Sequence, residues 1–248
     1  MDIQRAARRS AFAAGILYLL TFVGSIAAAI LVDPVLTDPG YVTGPGADTQ
    51  LALGSLFELV NILSCFGTAV AVFSIVKLEH ESLAIGFVAT RLFEAGVLAV
   101  GVLSVLSLVT LRQAAAASPD AAAFAPVGEA MAAVRHWSIV VGPGMASFNA
   151  LMFGTLLFRA RLVPRAIPAL GIIGAPVFMV FIVGTILGVT GAGTAFQAIA
   201  VAPFFIWELV VGLWMTFKGF DRNAPILNRS AAARVDGPSA VTTMAGAA

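Results

Sequence analysis

Six stretches of this chain are each long and apolar enough to cross a lipid bilayer, which fixes the kind of fold it can adopt. They run Ala11–Val32, Leu51–Val76, Leu83–Leu111, Trp137–Phe158, Ala166–Val189 and Phe196–Phe217. A spanning helix needs about 20 mostly apolar residues. Lipid offers no partner for backbone polar groups, so such segments must be helices unless strands close into a barrel. Composition agrees: the 248 residues are 60% hydrophobic and 11% charged, where soluble domains carry roughly 25% charged residues. The expected fold is all-α, a polytopic membrane protein built as a bundle of six transmembrane helices.

Loop charges predict its orientation. The N-terminal segment holds Arg5, Arg8 and Arg9, the second loop Lys77, and the fourth loop Arg159, Arg161 and Arg165. The C-terminal segment holds Lys218, Arg222, Arg229 and Arg234, which makes eleven basic residues on one side. The other side has Arg112 and Arg135, with Asp33, Asp38, Asp48, Asp120 and Glu129. The positive-inside rule places both termini in the cytoplasm. Arg5, Arg8 and Arg9 before an apolar run that ends in small residues resemble a signal peptide. The run is longer than the roughly 7–15 residues of such a region, so an uncleaved first helix is expected. Residues 1–220 are read as the six-helix domain. Residues 221–248, small and polar without apolar period, are read as a disordered cytoplasmic tail.

Ionisable groups inside the apolar runs mark the candidate site, because a charge at bilayer depth costs at least about 2.5 kcal/mol. Glu58, Glu94 and Glu208 each follow an aromatic residue, and Arg91 lies one turn before Glu94. On the second helix Ser55, Glu58, Asn61, Cys65 and Thr68 recur at spacings of three and four, which draws one polar face. Arg91, Glu94, Leu98, Gly101 and Ser104 do the same on the third. Asn149 shares a face of the fourth with Gly142 and Met145, and Pro203 interrupts the sixth shortly before Glu208. These faces should turn inward. The candidate polar cluster is Glu58, Asn61, Arg91, Glu94, Asn149 and Glu208. Arg91 and Glu94, at i and i+3, can pair on their own helix. Three acids against one base would leave a net charge of −2 when ionised, in a poorly screened setting. Gly184 and Gly188 form a GxxxG pair on the fifth helix, read as a close-packing face.

The chemistry of known catalytic motifs is missing. The chain has no P-loop, HExxH, nucleophile elbow or CxxC. His80 and His136, its two histidines, fall at opposite membrane faces and cannot share a metal. Catalytic residues, metal sites and cofactors are therefore not expected. A net charge of +1 gives no electrostatic basis for nucleic-acid binding.

Two stretches are more distinctive than composition. Arg161-Leu-Val-Pro-Arg165 leads into Ala-Ile-Pro168-Ala-Leu-Gly171-Ile-Ile-Gly174, and Pro203-Phe-Phe-Ile-Trp207-Glu208-Leu-Val-Val-Gly212-Leu-Trp214 ends in Lys218-Gly219-Phe220. Together with Arg91-Leu-Phe-Glu94 they resemble the bacterial six-helix membrane family catalogued as domain of unknown function 4386, over about residues 5–220. The resemblance implies a plasma-membrane location and a six-helix bundle, and no activity. The leading functional expectation is small-solute or ion transport through the intramembrane carboxylates, with a small solute or proton as ligand. Three helices on each side of the middle loop would also suit halves inverted about an axis in the membrane plane, matching Phe93-Glu94 with Trp207-Glu208. The alternative is a non-catalytic regulatory or scaffolding subunit with a membrane-protein partner or a homo-oligomer. An intramembrane lipid-modifying enzyme is the third reading. Membrane lipids are partners in every case.

Overall fold

The computed structural model describes residues 3–38 and 40–228. Six long helices make it up: α1 Ile3–Leu36, α2 Asp48–Val76, α3 Glu81–Ala116, α4 Ala125–Ala160, α5 Ala166–Ile186 and α6 Ala195–Phe217. A single 3₁₀ turn, Ala121–Phe124, precedes α4. All six are long and apolar enough to span a bilayer, and the protein is a multi-pass membrane protein. Six passes bring the N-terminal end of α1 and the C-terminal end of α6 to the same face, which also carries Lys77, Arg159, Arg161 and Arg165. This is called the basic face below.

Each helix packs chiefly against its neighbours in sequence, and α6 closes on α1, so the bundle is one sequential ring. Small residues allow the closure. A Cβ added at Gly15 of α1 would lie 2.5 Å from the Thr216 backbone nitrogen of α6. The ring order removes the expected inverted repeat. Walking from α1 to α6 follows a single sense round the ring, whereas a two-fold axis in the membrane plane would reverse that sense for α4 to α6. Phe93-Glu94 and Trp207-Glu208 are therefore not equivalent positions of two inverted halves.

The helices are inside-out relative to a soluble bundle. On α2 the buried side chains include Ser55, Glu58, Asn61, Cys65 and Thr68, while Leu56, Leu63, Phe66 and Val70 face outward. Lipid rewards the apolar side, and the polar side finds partners only within the ring. Apolar packing flanks the polar layer. Toward the basic face Ala7, Ala11, Val72, Ile75, Leu156 and Leu157 belong to the larger core. Toward the opposite face Val32, Leu51, Val105 and Leu108 form a smaller one between α1, α2 and α3.

Three boundaries differ from expectation. The segment 112–136 between the third and fourth apolar runs, expected as an outer loop with room for a short surface helix, instead extends both neighbours: α3 continues to Ala116 and α4 starts at Ala125, so Arg135 lies inside a helix. Gly188 is not on α5, which ends at Ile186. Gly188 has φ +71° and closes the helix, with Val189 N–H bonded to Gly184 C=O and Gly188 N–H to Thr185 C=O. This is a left-handed glycine cap, and it leaves no GxxxG face. Finally, the chain past Phe220 folds back. Ala224, Ile226 and Leu227 are buried against the larger core, and Asp221 N–H bonds to Leu162 C=O. Any tail thus begins later than residue 221; residues 229–248 lie outside the described part.

Candidate functional site

The inward polar faces of α2, α3, α4 and α6 meet at mid-height in one network. At its centre is Arg91 of α3, 1% exposed. Its Nη1 donates to Glu94 Oε2 at 3.0 Å and its Nη2 to Glu208 Oε1 of α6 at 3.3 Å. The expected Arg91–Glu94 pair is present, then, and Glu208 shares the same cation. The guanidinium also lies 4.9 Å from the centre of the Tyr18 ring of α1, a geometry that suits cation–π attraction. Asn149 of α4 donates from Nδ2 to Glu94 Oε2 at 2.6 Å, and its carbonyl oxygen accepts the Thr90 hydroxyl. Glu94 is therefore held by two donors from two helices.

A second ion pair lies nearer the opposite face. Arg135 of α4 donates from Nη2 to Glu58 Oε2 of α2 at 3.1 Å, and both side chains are almost fully buried. Asn61 Nδ2 donates to the other oxygen, Glu58 Oε1, at 2.9 Å. Packing fixes this arginine: a Cβ added at Gly101 of α3 would lie 3.2 Å from Arg135 Nη1 and 3.0 Å from Ser138 Cβ.

Cys65 joins the two pairs. Its thiol donates to Asn61 Oδ1 at 3.7 Å and its sulfur accepts from Arg91 Nη1 at 3.6 Å. The side chains from Arg135 through Glu58, Asn61, Cys65 and Arg91 to Glu94, Asn149 and Thr90 thus form one continuous chain of contacts. Five of the six expected site residues lie along it, and the sixth, Glu208, branches from it at Arg91, in keeping with the 3.6-residue period of their helices. Arg135 is the residue that sequence reasoning placed wrongly, in an outer loop. A signal was present: Gly128, Met131, Arg135, Ser138 and Gly142 recur at helical spacing. The charge balance changes accordingly. Three carboxylates against two guanidiniums leave −3 + 2 = −1 when all are ionised, not −2. Such a buried network is stable only while each member keeps its partners.

Two cavities adjoin the network. The outer one, about 530 Å³, opens between α1, α4, α5 and α6 toward the face opposite the basic face, and its walls include Asp33, Arg135, Ile139, Phe181 and Gln197. The inner one, about 180 Å³, reaches Asn61, Cys65, Arg91, Glu94 and Glu208. Pro143, Phe178 and Val201 line both. Helix prolines cannot donate a backbone hydrogen bond and disturb the ladder around them. Pro143 of α4 thus sits where the packing is interrupted.

His136 stays at the surface beside Trp137, their rings 5.3 Å apart, as suits an interfacial pair. Tyr41, Asp48 and Arg112 tie the loop after α1 to α3. The Tyr41 hydroxyl donates to Asp48 Oδ1 at 2.9 Å, and Arg112 binds both Asp48 oxygens. Burial, with the Asp48 carboxylate beside it, raises the Tyr41 phenol well above its ordinary range.

No curated protein and no solved structure matches the chain. The model of the family described as Domain of unknown function (DUF4386) matches residues 13–219, and the chain belongs to that family.

Proposed function

We propose that this is a bacterial plasma-membrane transporter of a small solute or ion, with both termini in the cytoplasm, that works through its intramembrane carboxylates. One observation carries the reading: an inner cavity walled by Glu94, Arg91 and Glu208 adjoins a larger cavity that opens away from the basic face. Cavities of about 560 and 610 Å³ also open on the basic face, but their walls, which include Leu162, Trp214 and Phe220 in one and Arg5, Arg8 and Arg9 in the other, hold no residue of the charged layer. Access to the charged layer is thus one-sided, as alternating access requires of a single state. The residual charge of −1 suits a proton or cation as the moving or coupling species. The basic residues gathered on the terminal face support the orientation.

Reconstitution into proteoliposomes tests the reading. Under imposed pH and voltage gradients the wild type is expected to move charge, and Glu208→Gln to lose most of that movement. Glu208→Gln keeps the shape of the side chain but removes the carboxylate facing the inner cavity. Wild-type vesicles that match protein-free vesicles under every gradient, or a Gln variant that conducts like the wild type, would contradict it.

A specific observation favours a second reading, a non-catalytic regulatory or scaffolding subunit. Every carboxylate of the buried network has an arginine partner, so the network also suits a static fastening between helices. A stoichiometric partner on purification, with no charge movement, would favour it.

A further inference from the structure

We propose that the adjoining cavities form a binding site for an apolar organic cation, with its charge at Glu208 and its body in the outer cavity. This deepens the transport reading and rests on it for the direction of entry.

Size and wall chemistry come first. The outer cavity alone, at about 530 Å³, falls within the roughly 300–1,000 Å³ of small-molecule sites. Apolar side chains dominate its lining, among them Ile139, Val140, Phe178, Phe181 and Ile182. Phe178 stacks on Phe204 with ring centres 4.9 Å apart, and Phe204 lines the inner cavity beside Glu208. Apolar body and aromatic faces therefore lead continuously down to a carboxylate.

The sign of the charge follows from exposure. In the inner ion pair the Arg91 side chain is 2% exposed and that of Glu208 is 14% exposed. A ligand entering the inner cavity thus meets the carboxylate, with the guanidinium behind it. Glu208 Oε1 is taken by Arg91, and Oε2 has no hydrogen-bond partner among the described residues. The other arginine on the route, Arg135, is already bonded to Glu58 and stands with Asp33 on the same wall. Of the groups that line the two cavities, Asp33, Glu94 and Glu208 stand against Arg91 and Arg135, a sum of −3 + 2 = −1 with histidine counted as neutral. An anion would be opposed at each arginine by a carboxylate already in place. A cation gains the free oxygen and the aromatic faces, which attract cations at short range.

The same walls argue against a bare metal ion. Hard cations take six or more oxygen ligands, and among the described residues no group of three or more His, Cys, Asp and Glu could hold one. An organic cation needs fewer ligands because its charge is spread and its surface is apolar.

Two probes of matched size and shape but opposite sign test the assignment: tetraphenylphosphonium and tetraphenylborate, titrated calorimetrically into the intact detergent-solubilised protein. Wild type is expected to bind the phosphonium at least about tenfold more tightly than the borate, a difference of one decade in Kd. Glu208→Gln should erase that preference. Val201→Trp, which fills the wall common to both cavities and leaves the Arg91–Glu208 pair intact, should weaken phosphonium binding by a similar factor. It also decides the matter if Glu208→Gln fails to fold. Equal binding of the two probes, or phosphonium affinity retained in Val201→Trp, would overturn the site. Failure of the two readings is distinguishable. Binding with these signatures but no charge movement in vesicles keeps the site and removes transport. Charge movement without phosphonium binding removes the site and keeps transport.

Discussion

Arg91→Met is expected to destabilise the protein by about 3–5 kcal/mol, the usual cost of stripping one partner from a buried ion pair. Here the cost should lie at the upper end, because the substitution leaves two carboxylates, Glu94 and Glu208, facing each other without a cation. Glu94→Gln and Glu208→Gln should each cost less, since either leaves Arg91 one acidic partner. Glu94 should be the more sensitive of the two, because Asn149 also bonds to it at 2.6 Å. The triple change Arg91→Met, Glu94→Gln, Glu208→Gln removes every charge of the group and should recover much of the loss. Thermal unfolding in detergent is the measurement. Single Gln variants as unstable as Arg91→Met, or no recovery in the triple, would mean that Arg91 does not hold the two acids together.

Arg135→Met is the second large effect, again about 3–5 kcal/mol. It leaves Glu58 buried with Asn61 as its one hydrogen-bond donor. The double change Arg135→Met with Glu58→Gln should be closer to wild type than Arg135→Met alone, because two neutral polar groups replace an orphaned charge. The outcome separates the observed geometry from a surface position for Arg135. A surface arginine would cost within about 0.5 kcal/mol to replace, and the double change would then gain nothing.

The polar interior was legible in the sequence because a helix turns every 3.6 residues. Ser55, Glu58, Asn61, Cys65 and Thr68 could share a face in no other way, and lipid left that face nowhere to point but inward. For Arg135 the same helical spacing, with Gly128, Met131, Ser138 and Gly142, was overridden by the apolar run. The fourth apolar run begins at Trp137, but an apolar run measures depth in lipid, not helix length. The alanine-rich start of α4 is a good helix former that carries no lipid signal. The closure of α6 on α1 was also hidden. Short connections make consecutive helices neighbours, yet nothing in their order says whether the row closes. GxxxG spacing misled at Gly188, because a helix-ending glycine can fall at the same interval as a packing one. Asp221 and Arg222 look like the start of a solvated tail, and Ile226 and Leu227 were too few to signal the anchor they form.

The central claim is that the buried charged layer is reached from one side, and side-specific thiol labelling of Val201→Cys tests it most directly. Val201 lines both cavities; native Cys65 lines the inner one, so the labelling is done in a Cys65→Ser background, where Ala150→Cys in the packed half should stay silent. A membrane-impermeant maleimide is expected to label Val201→Cys from the extracellular side of right-side-out vesicles and to leave inverted vesicles unlabelled. Labelling from the side of the termini, or none from either side, would contradict the account.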